Sequence, residues 1–292
     1  MNLHDFLKER SPTENRKRVV IPGVRGEEIF RFLIAAEALA DFILVGSTEE
    51  IQRGLGQRED AGFEVISAED DEDACRIAGN ELAAGNADLL MKGLIQTSSF
   101  TRILLNKERG FTKHGSLLSH LSLFSLPAYH KPLFLTDAAI NIAPGEEEKA
   151  RILGNALEGL KKLGINQPKA ALIAPVEKVS EKIPSTVHAA CLKKRFAGRD
   201  DVLVDGPFGL DAALSRDAAA VKGISGPVCG DPDLLLMPGL DAGNVLYKAF
   251  SLIGDADPAG VVLGASVPAV LTSRSDSVES KLLSLALALR LS

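Results

Sequence analysis

The chain contains no tryptophan and only two tyrosines in 292 residues, and its formal net charge is −6. A nucleic-acid surface needs basic excess to neutralise phosphates and aromatic platforms to stack bases, and neither is supplied. Cysteine is scarce as well. The three cysteines, Cys75, Cys191 and Cys229, are widely spaced and odd in number, with no C-x-x-C pair. Neither a disulfide framework nor a zinc site is expected, only free thiols. The five histidines form no H-x-x-x-H pair, so no metal is expected.

Long apolar runs are also missing. Residues 261–271 come nearest to the ~18 residues a membrane helix needs, but Gly264, Ser266 and Pro268 break them. Asp5, Lys8, Glu9 and Arg10 stand where a signal peptide needs an apolar core, so a cytoplasmic protein is expected. No G-x-x-x-x-G-K-[ST], no G-x-G-x-x-G after a strand and no G-x-S-x-G occurs, which removes the P-loop, the dinucleotide fingerprint and the hydrolase elbow.

What remains is a balanced globular composition, 46% hydrophobic and 25% charged, in a chain long enough for two domains. Strand-like runs at 18–22, 42–45, 63–66, 88–92, 132–136, 170–176, 202–205, 234–238 and 260–263 alternate with helical periods at 27–38, 71–84, 97–106, 146–163, 185–196 and 241–253. That alternation predicts βαβ units and mostly parallel sheet, an α/β fold.

Anionic ligands of such sheets bind beyond the carboxyl ends of strands, where helices begin. VLTSRSDSVESKLLS, residues 270–284, has this build: a strand, then hydroxyls with Arg274 and Asp276, then a helix from about Val278. Val278, Leu282, Leu285 and Leu289 mark its expected apolar face. Two readings compete here. Asp276 and Glu279 form an i, i+3 capping pair worth about 1 kcal/mol without any ligand. Alternatively the hydroxyls and the forked guanidinium seat a phosphate.

LLMKGLIQTSSFTRILL, residues 89–105, repeats the pattern with Lys92-Gly93, Thr97, Ser98, Ser99, Thr101 and Arg102, against the alternative of a capped helix with a surface arginine. In LMPGLDAGNVLYKA, residues 236–249, Asp241 or Gly243 opens a helix on which Asn244 and Lys248 share a face. A solvated helix face explains those two equally well. DGPFGLDAAL, residues 205–214, reads as a turn in which Gly206-Pro207 ends a strand and Asp211 caps the segment after it. His120 reads as a satisfied, partly buried histidine, and His188 as one facing solvent or stabilising a first turn.

Together these segments resemble the phosphate acetyltransferase/phosphate butyryltransferase family. The resemblance is carried, in family order, by LLMKGLIQTS, SHLSLF, LTDAAINIAP, PVEKVSEKIPSTV, DGPFGLDAAL, MPGLDAGNVLYKA and VLTSRSDSVESKLLSLALA. It implies reversible transfer of a short acyl group between coenzyme A and inorganic phosphate. The implied fold is two doubly wound, three-layer α/β domains with a cleft between them, of the isocitrate/isopropylmalate dehydrogenase type. The corresponding division is residues 1–134 with 262–292, and 135–261. Lys92-Gly93, where acetyltransferases tend to carry Ser-Gly, leans towards the butyryl branch.

By resemblance, Ser273 and Arg274 stand at the thiol and the phosphate, and Asp276 is the nearest carboxylate for a catalytic role. Lys92, Thr97, Ser98, Arg102, Asn141, Asn244 and Lys248 make up the substrate-binding set. Arg102 falls one position from the family's arginine. The acetyltransferase branch has an aspartate seven residues after its serine, and Ser280 occupies that place here. The implied partners are acyl-CoA and phosphate in a homodimer or larger homo-oligomer, with coenzyme A as substrate and no tightly bound cofactor. Two other classes stay open: an NAD-dependent decarboxylating dehydrogenase, for which no metal-binding aspartate cluster is found, and a non-catalytic coenzyme A-binding homologue.

Overall fold

The computed structural model describes residues 16–56, 62–106, 108–112, 115–272 and 276–292. They form two compact units: Leu117–Pro258 (the second unit), and the residues up to Ser116 joined by Ala259–Ser292 (the first unit). The sequence-based division places its boundaries at 134/135 and 261/262. The strand Ser119–Phe124 accounts for the first difference, because it pairs antiparallel with Leu133–Thr136 and so belongs with the second unit.

The first unit contains β1 (Arg18–Pro22), α1 (Glu27–Ala36), β2 (Asp41–Gly46), α2 (Thr48–Leu55), β3 (Phe63–Ser67), α3 (Asp71–Ala83), β4 (Leu89–Met91) and α4 (Thr97–Leu105). After the second unit the chain returns with β10 (Ala259–Leu263), β11 (Ala269–Val270) and α10 (Val278–Leu291). Its strands lie in the order β3-β2-β1-β4-β11-β10. All neighbours are parallel except β10 with β11. Valine, isoleucine and leucine fill β1, β2 and β4 with almost no polar break, as strands covered on both faces require. From β1 the chain steps outward to β2 and β3, then returns to place β4 on the other side of β1. A topological switch point therefore lies between β1 and β4.

The second unit holds β5 (Ser119–Phe124), β6 (Leu133–Thr136), α5 (Glu146–Lys162), β7 (Lys169–Ile173), α6 (Pro184–Phe196), β8 (Leu203–Phe208), α7 (Leu210–Leu214), α8 (Arg216–Val221), β9 (Leu234–Leu236) and α9 (Leu240–Leu252). Its strand order is β5-β6-β9-β7-β8. The core gathers Phe124, Leu133, Leu135, Phe208, Leu235 and Met237, with Tyr247 and Phe250 of α9 packed against it.

Several local expectations change. β8 runs through Gly206-Pro207 instead of stopping there. α7 opens from Gly209 and α9 from Gly239, so Asp211 and Asp241 lie inside their helices and cap neither. The buried face of α10 is not Val278, Leu282, Leu285 and Leu289: of these only Leu285 is buried, alongside Ser280, Lys281, Leu283, Ser284, Leu287, Ala288 and Leu291. The reason is polar. The Ser284 hydroxyl donates to the Ser280 carbonyl at 2.7 Å and accepts the Gly260 N–H at 2.9 Å, so serines tie the helix to β10.

Candidate functional site

The loops leaving β1, β4 and β11 converge at the carboxyl ends of three adjacent parallel strands. They enclose a crevice of about 110 Å³ at the switch point, lined by Arg25, Glu28, Lys92, Gly93, Thr272 and Lys281 among others. Gly93 is required for this closure. A Cβ there would lie 2.7 Å from the Gly23 carbonyl oxygen and closer still to that of Pro22, both rigid backbone.

Arg25 is held in place rather than offered. Its guanidinium forks onto both oxygens of Asp71 and donates to the Leu94 carbonyl at 2.7 Å, tying the β1 loop to the β4 loop. The Asp71 hydrogen bond raises the Arg25 pKa, and Arg25 in turn lowers that of Asp71. Lys92 is 6% exposed; its backbone N–H continues the ladder to Val270, and its ammonium donates to the Gly93 carbonyl at 3.3 Å. Lys281, 5% exposed, reaches across from α10 to Glu28 at 3.2 Å and to the Asp276 carbonyl.

Of the sequence-predicted residues, Lys92 lines this crevice and Thr272, the hydroxyl preceding Ser273, lines it too. Ser273 and Arg274 lie outside the described residues. Asp276 is not the helix cap. Ser277 is, accepting the Ser280 N–H at 3.0 Å and donating to the Ser280 hydroxyl at 3.1 Å. The capping explanation for Asp276 therefore falls, and Ser280 is a buried part of the cap.

Thr97 and Ser98 are exposed in the first turn of α4, whose N-cap Gln96 makes no side-chain cap bond. Arg102 goes elsewhere. With Arg76, Arg109, Ser99 and Cys75 it lines a second cavity of about 270 Å³ whose wall residues come from α3, α4 and the segment after α4. Arg76 is held there by Asp73, and Arg109 donates to Asn80 at 3.0 Å. Burial pushes the Cys75 thiol up to about 11, so it is no thiolate nucleophile.

In the second unit, Asn141 and Asn244 meet around one turn. Asp137, 3% exposed, follows β6 and accepts from four N–H groups: His120 at 3.1 Å, Ala139 at 2.8 Å, Ile140 at 3.0 Å and the Asn141 amide at 2.6 Å. The Asn141 amide also donates to the Leu118 carbonyl at 2.9 Å, so both its hydrogens serve the fold. Asn244 donates to Ala138 at 3.1 Å. Gly243 packs so tightly on the Asp137 carbonyl that a Cβ would fall well inside the 3.0 Å that real Cβ contacts keep. Lys248 is exposed one turn further along α9.

His120 is buried, with Nδ1 at 3.1 Å from the Ser122 hydroxyl. His188 is half-buried, and its Nδ1 accepts from Lys149 at 3.0 Å. Burial, then the charge of Lys149, lowers the His188 pKa. Among the described residues, no group of three or more His, Cys, Asp or Glu is placed to hold a metal ion, and no helix is long and apolar enough to cross a membrane.

Lys281, Arg25 and Asp137 escaped sequence reasoning. The signal for Lys281 was a lysine in VESKLLSLALALRL, where the following turns are nearly all apolar. Asp137 carried the mark of an aspartate opening a turn at a strand end.

The comparisons with known proteins agree with one another. The family model described as phosphate acetyl/butaryl transferase matches residues 66–289. A probable phosphate butyryltransferase of Bacillus subtilis is 39% identical, over 99% of this chain and 97% of its own length. A phosphate acetyltransferase of Thermotoga maritima is 34% identical, over 93% of this chain and 94% of its own. Among solved structures, a branched-chain phosphotransacylase from Enterococcus faecalis matches with a TM-score of 0.85 at 36% identity, covering 94% of this chain and 98% of that one. A family match that takes in Lys92, Thr272 and Lys281, joined to relatives alike over nearly their whole length, means that the chain belongs to the phosphate acetyl- and butyryltransferase family.

Proposed function

We propose that the protein is a phosphate acyltransferase, moving a short acyl group, butyryl or a similar chain, between coenzyme A and inorganic phosphate. The observation that carries this reading is the position of Lys92. It is a buried lysine beyond the end of β4, lining a crevice at the switch point within the family-matched residues.

In the direction of acyl phosphate, an oxygen of hydrogen phosphate attacks the thioester carbonyl carbon. The C–O bond forms, the C–S bond breaks, and the proton that phosphate carried goes to the departing sulfur, giving acyl phosphate and free coenzyme A. Both ends of this exchange are anionic, and a thiol of pKa near 8.5 must leave or attack as thiolate. Fixed positive groups aimed at those charges lower the barrier without reorganising. Lys92 supplies one. Arg274 is assigned the phosphate and Ser273 the sulfur through the resemblance. Asp276, which does not cap the helix, is the candidate to relay the proton.

The butyryl preference draws on Lys92-Gly93 and on the Bacillus subtilis relative. Acetyl transfer is the alternative within the class. The test is free thiol released from acetyl-, butyryl- and isobutyryl-CoA, with and without inorganic phosphate. Release that requires phosphate and is fastest with the four-carbon substrates is expected. Release independent of phosphate contradicts transfer to phosphate, and coenzyme A binding without any release points to a non-catalytic homologue.

A further inference from the structure

We propose that Lys281 is a phosphate-binding residue, holding the anion jointly with Lys92 in the crevice at the β1/β4 switch point. The proposal rests on the acyltransferase reading and adds to it a role for Lys281 of α10, the lysine inside the segment VLTSRSDSVESKLLSLALA.

The burial of Lys281 is the first observation. The rest of the buried face of α10 is made of leucines, an alanine and the serines that bond within the fold. An apolar side chain would be cheaper there than an ammonium, which retains its charge only where partners compensate it. Its partners are few. An ammonium serves three acceptors, and among the described residues Lys281 reaches two, the Asp276 carbonyl and the carboxylate of Glu28, itself half exposed.

Its surroundings supply the second. The ammonium-bearing side chain lines the same crevice as Lys92 and Thr272. Arg25, the third cation of that lining, is already occupied by Asp71 and Leu94. Lys92 and Lys281 line the same space, together with Glu27 and Glu28 of the first turn of α1.

Size selects the occupant. The crevice holds about 110 Å³, where one water needs about 10–15 Å³ by a comparable measure. It has room for a tetrahedral oxyanion and falls well below the roughly 300–1,000 Å³ of sites that take larger organic ligands. A space of that size suits inorganic phosphate or the phosphoryl end of an acyl phosphate. Glu28 then acts as a competitor, because its carboxylate pairs with the same ammonium that phosphate would bind.

The test separates this role from a structural ion pair by two substitutions of opposite sign. In the full-length protein, Lys281→Met is expected to raise the KM for phosphate about 10- to 100-fold, as loss of a charge-assisted hydrogen bond does, while the KM for butyryl-CoA moves less than about twofold. Lys281→Arg recovers part of the loss. Glu28→Gln is expected to lower the phosphate KM. Thermal melts establish that each variant is folded. Calorimetric titration of the same proteins with inorganic phosphate reads binding without turnover, so it decides the role of Lys281 even if the wild-type protein releases no thiol and the acyltransferase reading falls. An unchanged phosphate affinity in folded Lys281→Met, or a weaker affinity in Glu28→Gln, overturns the proposal. Should Lys281→Met not fold, Glu28→Gln alone decides by the direction of its shift.

Discussion

Lys281 in the first unit and Lys149 in the second are equally buried, each 5% exposed. Their surroundings differ. Lys281 lines a crevice, whereas the Lys149 ammonium meets the ring of His188, in the packing of α5 against α6. Asp137 extends the contrast. Its carboxylate meets four N–H donors, and every one of them belongs to the fold. In the second unit, then, buried charge is consumed in building a turn and a helix pair. In the first, buried charge faces a space sized for an anion. Burial of a charged group alone marks neither function nor structure; what differs between these two lysines is the surroundings, a crevice for Lys281 and a packed helix pair for Lys149.

The contrast is broken most forcefully at the turn. Gly243→Ala drives a methyl into the Asp137 carbonyl, and Asp137→Ala strips acceptors from four N–H groups, three of them backbone. Each is expected to destabilise the protein by about 3 kcal/mol or more, read by denaturant unfolding. Asp276→Asn probes the proton relay: loss of a true general base should cost about 10²–10⁴-fold in turnover with little change in stability. Near-normal turnover removes the idea, since the helix cap is made by Ser277. Lys92→Met should do the reverse of Asp137→Ala, sparing the melting temperature while raising the phosphate KM about 10- to 100-fold.

The smallest effect concerns His188. Its folded pKa lies below its ordinary value, so the unfolded chain binds the proton more readily. Stability from this group is complete above the unfolded value near 6.5 and is lost as pH falls through the window down to the folded value. Replacing His188 with glutamine should flatten that part of a stability-against-pH curve, measured by thermal melts between neutral and mildly acid pH.

Much of the fold and part of the site are legible in the sequence, for reasons tied to particular elements. β1 and β2 announce themselves as short apolar runs, and α5 as a long helical period behind an acidic first turn. Lys92-Gly93 stands out because a lysine directly after three apolar strand residues has few structural uses. β5 does not read as a strand because all six of its residues are buried, so SHLSLF places serine and histidine inside and lacks the alternation that reveals half-covered strands. β8 reads short at Gly206-Pro207, although proline costs a strand only the hydrogen bond it would have donated. On α10 a periodicity of apolar residues alone misplaces the buried face, because the serines and Lys281 that face inward are held by bonds no hydrophobic pattern records. Arg102 shares a helix with Thr97 and Ser98, yet it turns to the cavity beside α3. Sequence spacing does not separate the two faces of α4 by what stands opposite each.

The most direct measurement of the central claim is the release of free thiol from butyryl-CoA by the purified protein as inorganic phosphate is varied. A rate that is negligible without phosphate and saturates as phosphate rises, with stoichiometric butyryl phosphate formed, is the expected result. A rate indifferent to phosphate contradicts it.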